Sequence, residues 1–294
     1  FAVDLEFIPE RTYFPVLALA QIAVGGDPVL VDPLDAGTDL APLDAIVLDP
    51  DVEVIVHAGE QDLGIFHHRT GRAPRAVFDT QVAAAFAGLG PQISYGDLVE
   101  ALVGVRPASG EAYTDWMRRP LTPAQERYAL DDVRYLLEAA DRVSARLAEL
   151  GRGAWVAEEL AGFERPERYR ADPREAWRRV KGRNKLSGKR LAALVELAAW
   201  REETARREDR PRRRVLADEA LVEIARAMPQ RADKLRGLRA LRSPLGRRRA
   251  EQVVAAVRRA HRAPKEEWPA PDRAGPPSHE ARAAADLAAL ALKA

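Results

Sequence analysis

The 294-residue sequence contains no cysteine, and its first 143 residues contain no lysine. Without cysteine the chain can form no disulfide, no thiolate metal site and no cysteine nucleophile. Any metal must therefore be bound by carboxylates or by the five histidines. The absence of cysteine does not show whether the protein resides in an oxidising or a reducing compartment. The composition fits the cytoplasm.

Two sequence features of other protein classes are also missing. No run of residues is apolar over the roughly 20 positions that a membrane-spanning helix needs, so a membrane is not an expected partner. No G-x-G-x-x-G pattern follows a strand-like segment, which disfavours a dinucleotide-binding oxidoreductase.

Charge is divided unevenly along the chain, although 46 basic and 45 acidic residues leave a net charge of only +1. Residues 1–143 carry 10 Arg against 23 Asp and Glu, which is −13, whereas residues 165–262 carry 30 Lys and Arg against 13 acids, which is +17. This pattern predicts an acidic module joined to one that binds a polyanion, with Arg212–Arg214 and Arg247–Arg249 as candidate phosphate contacts. The alternative is that these arginines only solvate helices.

The periodicity of apolar residues predicts two kinds of domain. Strand-like segments at 1–7, 15–24 and 28–33 are followed by alternating helices and strands, which predicts an α/β domain. Residues 171–262 read as all helical, with Asp218 as the cap of the second helix. The predicted helices of both regions lie at 39–48, 60–69, 186–207, 218–227 and 246–261, and the later strands at 53–58 and 77–78.

Two acids lie on one face of the first strand. Side chains alternate along FAVDLEF, so Asp4 and Glu6 share a face whose opposite side is apolar. In an edge strand this pair would be ordinary. In a central strand, two like charges held about 7 Å apart need a cation or a proton.

A third acid follows the strand EVIVHA. Asp62 lies in the first turn of the next helix, near the strand end where α/β sheets place their sites, although a first-turn acid also suits the helix dipole. His57, at the end of the strand, is interpreted as a packed residue in preference to a ligand.

The helix that begins after Thr122 carries two adjacent aspartates. Thr122 and the following proline predict a helix start, and the lack of an internal Gly or Pro predicts one helix to about residue 150. On this helix Asp132 lies at the edge of the apolar face, one turn after Tyr128, whereas Asp131 lies among arginines. We therefore expect Asp131 to be a surface charge and Asp132 to need a partner.

In this order, Asp4, Glu6, Asp62, Tyr128 and Asp132 resemble the DEDD exonucleases of the tyrosine subtype, and more closely ribonuclease D. The segments DLEFIPERTYFPVLALAQI, VHAGEQDLGIF, FDTQVAAAF and TDWMRRPLTPAQERYALDDVRYL are similar to that family over residues 1–143. Residues 171–263 resemble its helical HRDC nucleic-acid-binding domain. Leu5 stands where the family often has Thr, and the loop RPASGEAYTDW lacks the family's usual lysine.

The resemblance implies a ribonuclease-H-like fold, a mixed sheet flanked by helices, joined to an all-α HRDC domain. We expect an exonuclease domain over 1–143 that lacks its N-terminal part, a helical linker over 144–170, a second linker over 264–277, and the truncated start of another helical domain over 278–294. No protein partner can be inferred.

The resemblance also implies a metal-dependent 3′-to-5′ exoribonuclease acting on single-stranded 3′ ends such as those of tRNA precursors. Two divalent ions, Mg²⁺ or Mn²⁺, would be held by the four acids, with Tyr128 orienting the attacking water. The alternatives are a DNA exonuclease and a catalytically inactive nucleic-acid-binding protein.

Overall fold

A computed structural model of the chain describes residues 1–25, 27–241, 243–270 and 278–291. The chain divides into two compact units. The first comprises Phe1–Pro9 and Pro15–Arg170 with the C-terminal residues from Ala284 onward, and the second comprises Glu10–Phe14 and Ala171–Ala283. Within the described ranges, no helix combines the length and apolar character needed to cross a membrane.

A five-stranded mixed sheet forms the centre of the first unit, in the order β3-β2-β1-β4-β5. The strands are β1 (Ala2–Ile8), β2 (Val16–Val24), β3 (Asp27–Val31), β4 (Val54–Val56) and β5 (Val77–Asp79). The pairs β1–β2 and β2–β3 are antiparallel, whereas β4 runs parallel to β1 and to β5. Because β1 is central, its two acids are not those of an exposed edge strand.

Eight helices flank this sheet within the described part of the first unit, which confirms the predicted α/β class. They are α1 (Ala41–Val47), α2 (Glu60–Thr70), α3 (Thr80–Phe86), α4 (Tyr95–Val103), α5 (Pro123–Arg134), α6 (Leu136–Glu149), α7 (Gly153–Leu160) and α8 (Pro166–Tyr169). The side chains of Val3 and Leu5 pack into a core with Leu63 and Phe66, on the face of β1 opposite its acids. Burial of that apolar face fixes the side to which Asp4 and Glu6 point.

The prediction of one helix from Thr122 to about residue 150 is wrong, because the helix is interrupted at Tyr135 between α5 and α6. The backbone at Tyr135 has φ of −105° and ψ of 0°. The Tyr95 hydroxyl accepts from the Tyr135 N–H and donates to the Asp131 carbonyl. A side chain inserted in this way interrupts the helical ladder.

The second unit is helical in its described part and has its own apolar core. Its helices are α9 (Gly188–Arg207), α10 (Arg212–Val215), α11 (Asp218–Ala227) and α12 (Arg247–Arg262). The prediction that Asp218 caps a helix is wrong: Asp218 is the first helical residue, and its buried carboxylate pairs with Arg201 at 2.6 Å. The buried Asp218 carboxylate forms an ion pair with Arg201, in place of the hydrogen bond to a backbone N–H of its own helix that a cap would form.

A further helix, α13 (His279–Ala291), follows near the C-terminus. Part of the predicted linker over 264–277, namely residues 271–277, lies outside the described residues. The same holds for residues 292–294 of the predicted helix over 278–294.

Candidate active site

The central strand places two carboxylates directly beside the neighbouring strand. Asp4 lies opposite Gln21 of β2, and Glu6 lies opposite Leu19, before a register irregularity between Glu6 and Phe7. Both acids extend from the face of the sheet that α5 covers. The alternation predicted from the sequence thus brings the two acids to one side of the sheet.

A tight turn places Asp62 at the start of α2. Ala58 has φ of 53°, in the left-handed region, and a Cβ on the next residue, Gly59, would lie 2.5 Å from the Val56 Cβ. Only glycine allows the chain to turn this closely against the end of β4. Asp62, buried in the first turn of the helix, is therefore fixed in position by the turn.

The buried carboxylate of Asp79 holds this turn from the adjacent strand. Its oxygens accept from the N–H groups of Ala58 at 3.1 Å and Gly59 at 3.0 Å, and also from Gln81 at 2.9 Å at the start of α3. The sequence landmark FDTQ therefore clamps the turn that leads to Asp62. The residue pattern of this landmark does not by itself indicate that function.

A capping box holds the N-terminus of α5, which carries the fourth acid. Thr122 accepts from the Gln125 N–H, and the Gln125 side chain accepts from the Thr122 N–H and donates to Thr114 at 3.0 Å. Further along α5 the Tyr128 hydroxyl lies beside the carboxylate of Asp132, two turns after the cap. The cap therefore fixes the register with which α5 presents both side chains.

The carboxylates of three of the predicted residues converge. Asp4, Glu6 and Asp132 each offer an oxygen, and these oxygens lie within 4.8 Å of one another. Burial raises the pKa of Asp4 to about 7, and burial together with the Asp4 charge raises the pKa of Glu6 to about 8. For Asp132, burial and the charges of Asp4 and Glu6 raise the pKa to about 9.

Asp62 is not one of those three residues, but it lies close enough for the charges of two of them to affect its pKa. Its pKa is raised well above the ordinary value, first by burial and then by the charges of Asp4 and Glu6. Asp62 therefore lies near the three converging carboxylates.

A divalent cation fits this set of donors. In the described part of the chain, no Arg or Lys forms an ion pair with any of the four acids. All the donor atoms are hard carboxylate oxygens, which Mg²⁺ and Mn²⁺ prefer. Buried carboxylates without a basic partner are costly unless they are protonated or share a cation, so the site is suited to divalent metal ions.

Tyr128 lies beside the cluster and remains protonated. Burial raises its pKa, and the charges of Asp132, Glu6 and Asp4 raise it further. Its ring lies 6.1 Å from that of the buried Trp116. The phenol is therefore a hydrogen-bonding group at neutral pH and not a base.

Asp131 points away from the cluster, but it is more than the surface charge that the sequence predicted. It pairs with Arg134 at 2.9 Å, the helix-spaced ion pair expected there. Its other oxygen accepts from the Ala108 N–H at 3.0 Å, which fixes the loop that precedes Trp116. The contact joins residues 23 positions apart, so the helical pattern alone could not indicate it.

His57 has no ring nitrogen available for a metal. Its Nε2 lies 3.1 Å from the Ile93 carbonyl, and its Nδ1 lies 2.9 Å from the Thr80 hydroxyl. Burial lowers its pKa, so the ring is a neutral imidazole whose Nε2–H donates to the Ile93 carbonyl. This arrangement agrees with the interpretation of His57 as a packed residue.

Two residues near the acids were missed by the sequence analysis. Gln21 is fully buried opposite Asp4, and neither atom of its amide has a partner among the described residues. A lone amide within the apolar run of β2 was the available signal. Tyr95 also lies near the acids. Its pKa is raised first by burial and then by the charges of Asp132 and Asp4.

Comparisons with known proteins give a consistent result. A family model described as a 3′-5′ exonuclease matches residues 1–148, and an HRDC domain model matches residues 190–257. The chain is 42% identical over 297 residues to ribonuclease D of Jannaschia sp. (strain CCS1), covering 99% of this chain and 77% of that protein. It is 40% identical to ribonuclease D of Acidiphilium cryptum (strain JF-5), covering 94% and 71%.

Among solved structures, the chain is similar to Escherichia coli RNase D, described as an exoribonuclease involved in structured RNA processing. The TM-score is 0.78 at 33% identity, with 98% of this chain and 77% of that chain covered.

Proposed function

The chain belongs to the ribonuclease D family, and on this premise we propose that its carboxylate cluster is the metal-dependent centre with which it removes nucleotides from the 3′ ends of RNA. The observation that supports this proposal most directly is the convergence of the Asp4, Glu6 and Asp132 carboxylates within 4.8 Å beside the Tyr128 hydroxyl. A single-stranded 3′ end, as in tRNA precursors of the cytoplasm, is the proposed substrate.

The four acids would divide between two metal positions. Asp4, Glu6 and Asp132 would hold one ion, and Asp4 with Asp62 would hold the second. When bound, two divalent ions such as Mg²⁺ or Mn²⁺ activate water, neutralise the phosphate and stabilise the leaving 3′ oxygen. The protein's own contribution is to hold these carboxylates close together, and their raised pKa values mean that metal ions would displace protons on binding.

Tyr128 orients the attacking water. Its hydroxyl lies beside the Asp132 carboxylate, where the phenol oxygen can accept a hydrogen bond from a proton of the attacking water. Because its pKa is raised, the phenol does not take that proton away. Cleavage would release nucleoside 5′-monophosphates, one at a time.

The helical second unit would hold RNA through its phosphates. Most of the arginines in the two predicted basic clusters are instead engaged within the unit: Arg212 with Glu202, Arg213 with Asp218 and Glu219, Arg247 with Glu251, and Arg249 with Glu208. Arg214 and Arg248 are exposed and form no ion pair in the described part of the chain. Of the arginines in the two basic clusters, we therefore propose only these two residues as phosphate contacts.

A paired digestion tests the proposal. The protein is incubated with a 3′-extended tRNA and with a DNA strand of the same sequence, each with Mg²⁺ and with EDTA. We expect stepwise shortening of the RNA from its 3′ end in Mg²⁺ only, and none with Asp132→Asn. Shortening of DNA alone would favour the DNA exonuclease, and binding of RNA without shortening would favour the inactive binding protein.

A further inference from the structure

The interruption between α5 and α6 lies next to the candidate metal ligand Asp132. In an uninterrupted helix the N–H of residue 135 would donate directly to the carbonyl of residue 131. The Tyr95 hydroxyl instead donates to the Asp131 carbonyl at 2.8 Å and accepts from the Tyr135 N–H at 3.3 Å. One phenol oxygen thus replaces a direct backbone hydrogen bond.

The carbonyl that accepts this bond belongs to the peptide unit joining Asp131 to Asp132. Holding that unit fixes the direction in which the Asp132 Cα–Cβ bond leaves the backbone. At its opposite end, the Asp132 side chain lies beside the Tyr128 hydroxyl. The fixed backbone thus directs the carboxylate into the group that it forms with Asp4 and Glu6.

Tyr95 is itself held firmly. It is the first residue of α4, whose N-cap Ser94 accepts from the Asp97 N–H. Its ring makes an edge contact with that of His57, with centroids 5.7 Å apart. His57 is in turn bonded at both nitrogens, to Thr80 and to the Ile93 carbonyl. The phenol is therefore an ordered group that extends from a separate helix.

We propose that Tyr95 is a positioning residue of the nuclease centre, whose hydroxyl fixes the Asp131–Asp132 peptide and so sets Asp132 as a metal ligand. This inference rests on the proposed metal-dependent function. It adds a residue that contacts no metal or substrate and acts through the backbone.

A second tyrosine of the same unit provides a matched control. Tyr169 also donates its hydroxyl to a backbone carbonyl, that of Phe163, at 2.7 Å, and its ring also contacts a histidine, stacking on His67 with centroids 5.4 Å apart. Tyr95→Phe and Tyr169→Phe therefore each remove one partly buried tyrosine-to-carbonyl hydrogen bond. Only the first removes it beside a predicted metal ligand.

The experiment compares Mn²⁺ binding by calorimetry in the unaltered protein, Tyr95→Phe, Tyr169→Phe and Asp132→Asn. All are measured at a temperature at which circular dichroism shows each variant to be folded. We expect Tyr95→Phe to weaken the Mn²⁺ dissociation constant by about 10-fold, as for other residues that orient a ligand, and Tyr169→Phe to leave it unchanged. In turnover of a short oligonucleotide, Tyr95→Phe should lower kcat at limiting Mn²⁺ without raising KM, and excess Mn²⁺ should restore kcat.

The outcomes separate this inference from the proposed function. An unaltered protein that binds no Mn²⁺ would overturn both. Normal binding by the unaltered protein with equal binding by Tyr95→Phe would overturn the positioning role alone. A Tyr95→Phe protein with no cooperative melting transition would also overturn it, because the hydroxyl would then serve the fold and not the ligand.

Discussion

Two adjacent aspartates on one helix differ completely in their surroundings. Asp132 shares a buried site with Asp4 and Glu6, whereas Asp131 pairs with Arg134 and accepts from the Ala108 N–H. Asp132→Asn should lower turnover by more than about 100-fold, because it removes a ligand oxygen. Initial rates on a short RNA measure this.

Asp131→Asn is the matched control. It keeps an acceptor for Ala108 and removes only a partly exposed ion pair, so the free energy of unfolding should change by about 0.5 kcal/mol or less. Turnover should stay near that of the unaltered protein. Equal loss of turnover in the two variants would contradict the assignment.

The buried carboxylates also make metal-free stability depend on pH. The pKa values of Asp4, Glu6 and Asp132 are raised to about 7, 8 and 9, against ordinary values near 4 in the unfolded chain. Between about pH 4 and about pH 9, the folded protein therefore binds more protons than the unfolded one. The resulting stabilisation is fully present below about pH 4 and is lost as the pH rises through the folded pKa values.

In EDTA, the melting temperature should therefore fall between pH 6 and pH 9. Saturating Mn²⁺, which binds the deprotonated carboxylates, should reverse much of the fall. Asp132→Asn, which is neutral at that position, should show a smaller fall in EDTA. A melting temperature that rises across this range in EDTA would contradict the pKa shifts.

At the scale of elements, the turn between β4 and α2 fixes Asp62. Gly59→Ala would place its Cβ 2.5 Å from the Val56 Cβ and would move the N–H that donates to Asp79. We expect a loss of about 1–3 kcal/mol in the free energy of unfolding, as for other overpacked sites, together with weaker Mn²⁺ binding. Chemical denaturation and calorimetry measure the two effects.

The control is Gly153→Ala at the start of α7, where an added Cβ meets no atom within 4 Å. It should not reduce stability or Mn²⁺ binding. If Gly59→Ala behaves in the same way as this control, the turn does not position Asp62.

Most elements could be predicted from the sequence, because alternation and helical periodicity are local signals. The interruption at Tyr135 could not, since it is caused by Tyr95, a residue 40 positions earlier. The ion pair of Asp218 could not be predicted either, because its partner Arg201 lies on another helix. At the site, the acids follow from spacing and resemblance, whereas the hydrogen bonds of Asp79 and the position of Gln21 opposite Asp4 depend on the packed sheet.

At the scale of the whole molecule, the uneven charge predicts different functions for the acidic and the basic parts of the chain. Residues 165–262 carry +17, and within the second unit the exposed Arg214 and Arg248 form no ion pair among the described residues. Replacing both with Ser should reduce the slope of log binding constant against log salt by about 0.7 for each phosphate of a single strand that is no longer neutralised. Turnover on a short oligonucleotide should not change.

Arg249→Ser is the control, because this arginine pairs with Glu208 at 2.5 Å. It should leave the salt slope for RNA binding unchanged. Identical slopes for the double variant and the unaltered protein would mean that the two exposed arginines do not bind phosphates.

In the proposed enzyme, the four acids form a divalent metal centre. The most direct measurement is an anomalous difference map from a crystal of the full chain grown with Mn²⁺. We predict two peaks in the first unit, one bounded by Asp4, Glu6 and Asp132 and the other shared by Asp4 and Asp62, and the loss of at least the first in Asp132→Asn. A map of the Mn²⁺-containing crystal with no peak at these carboxylates would contradict the account.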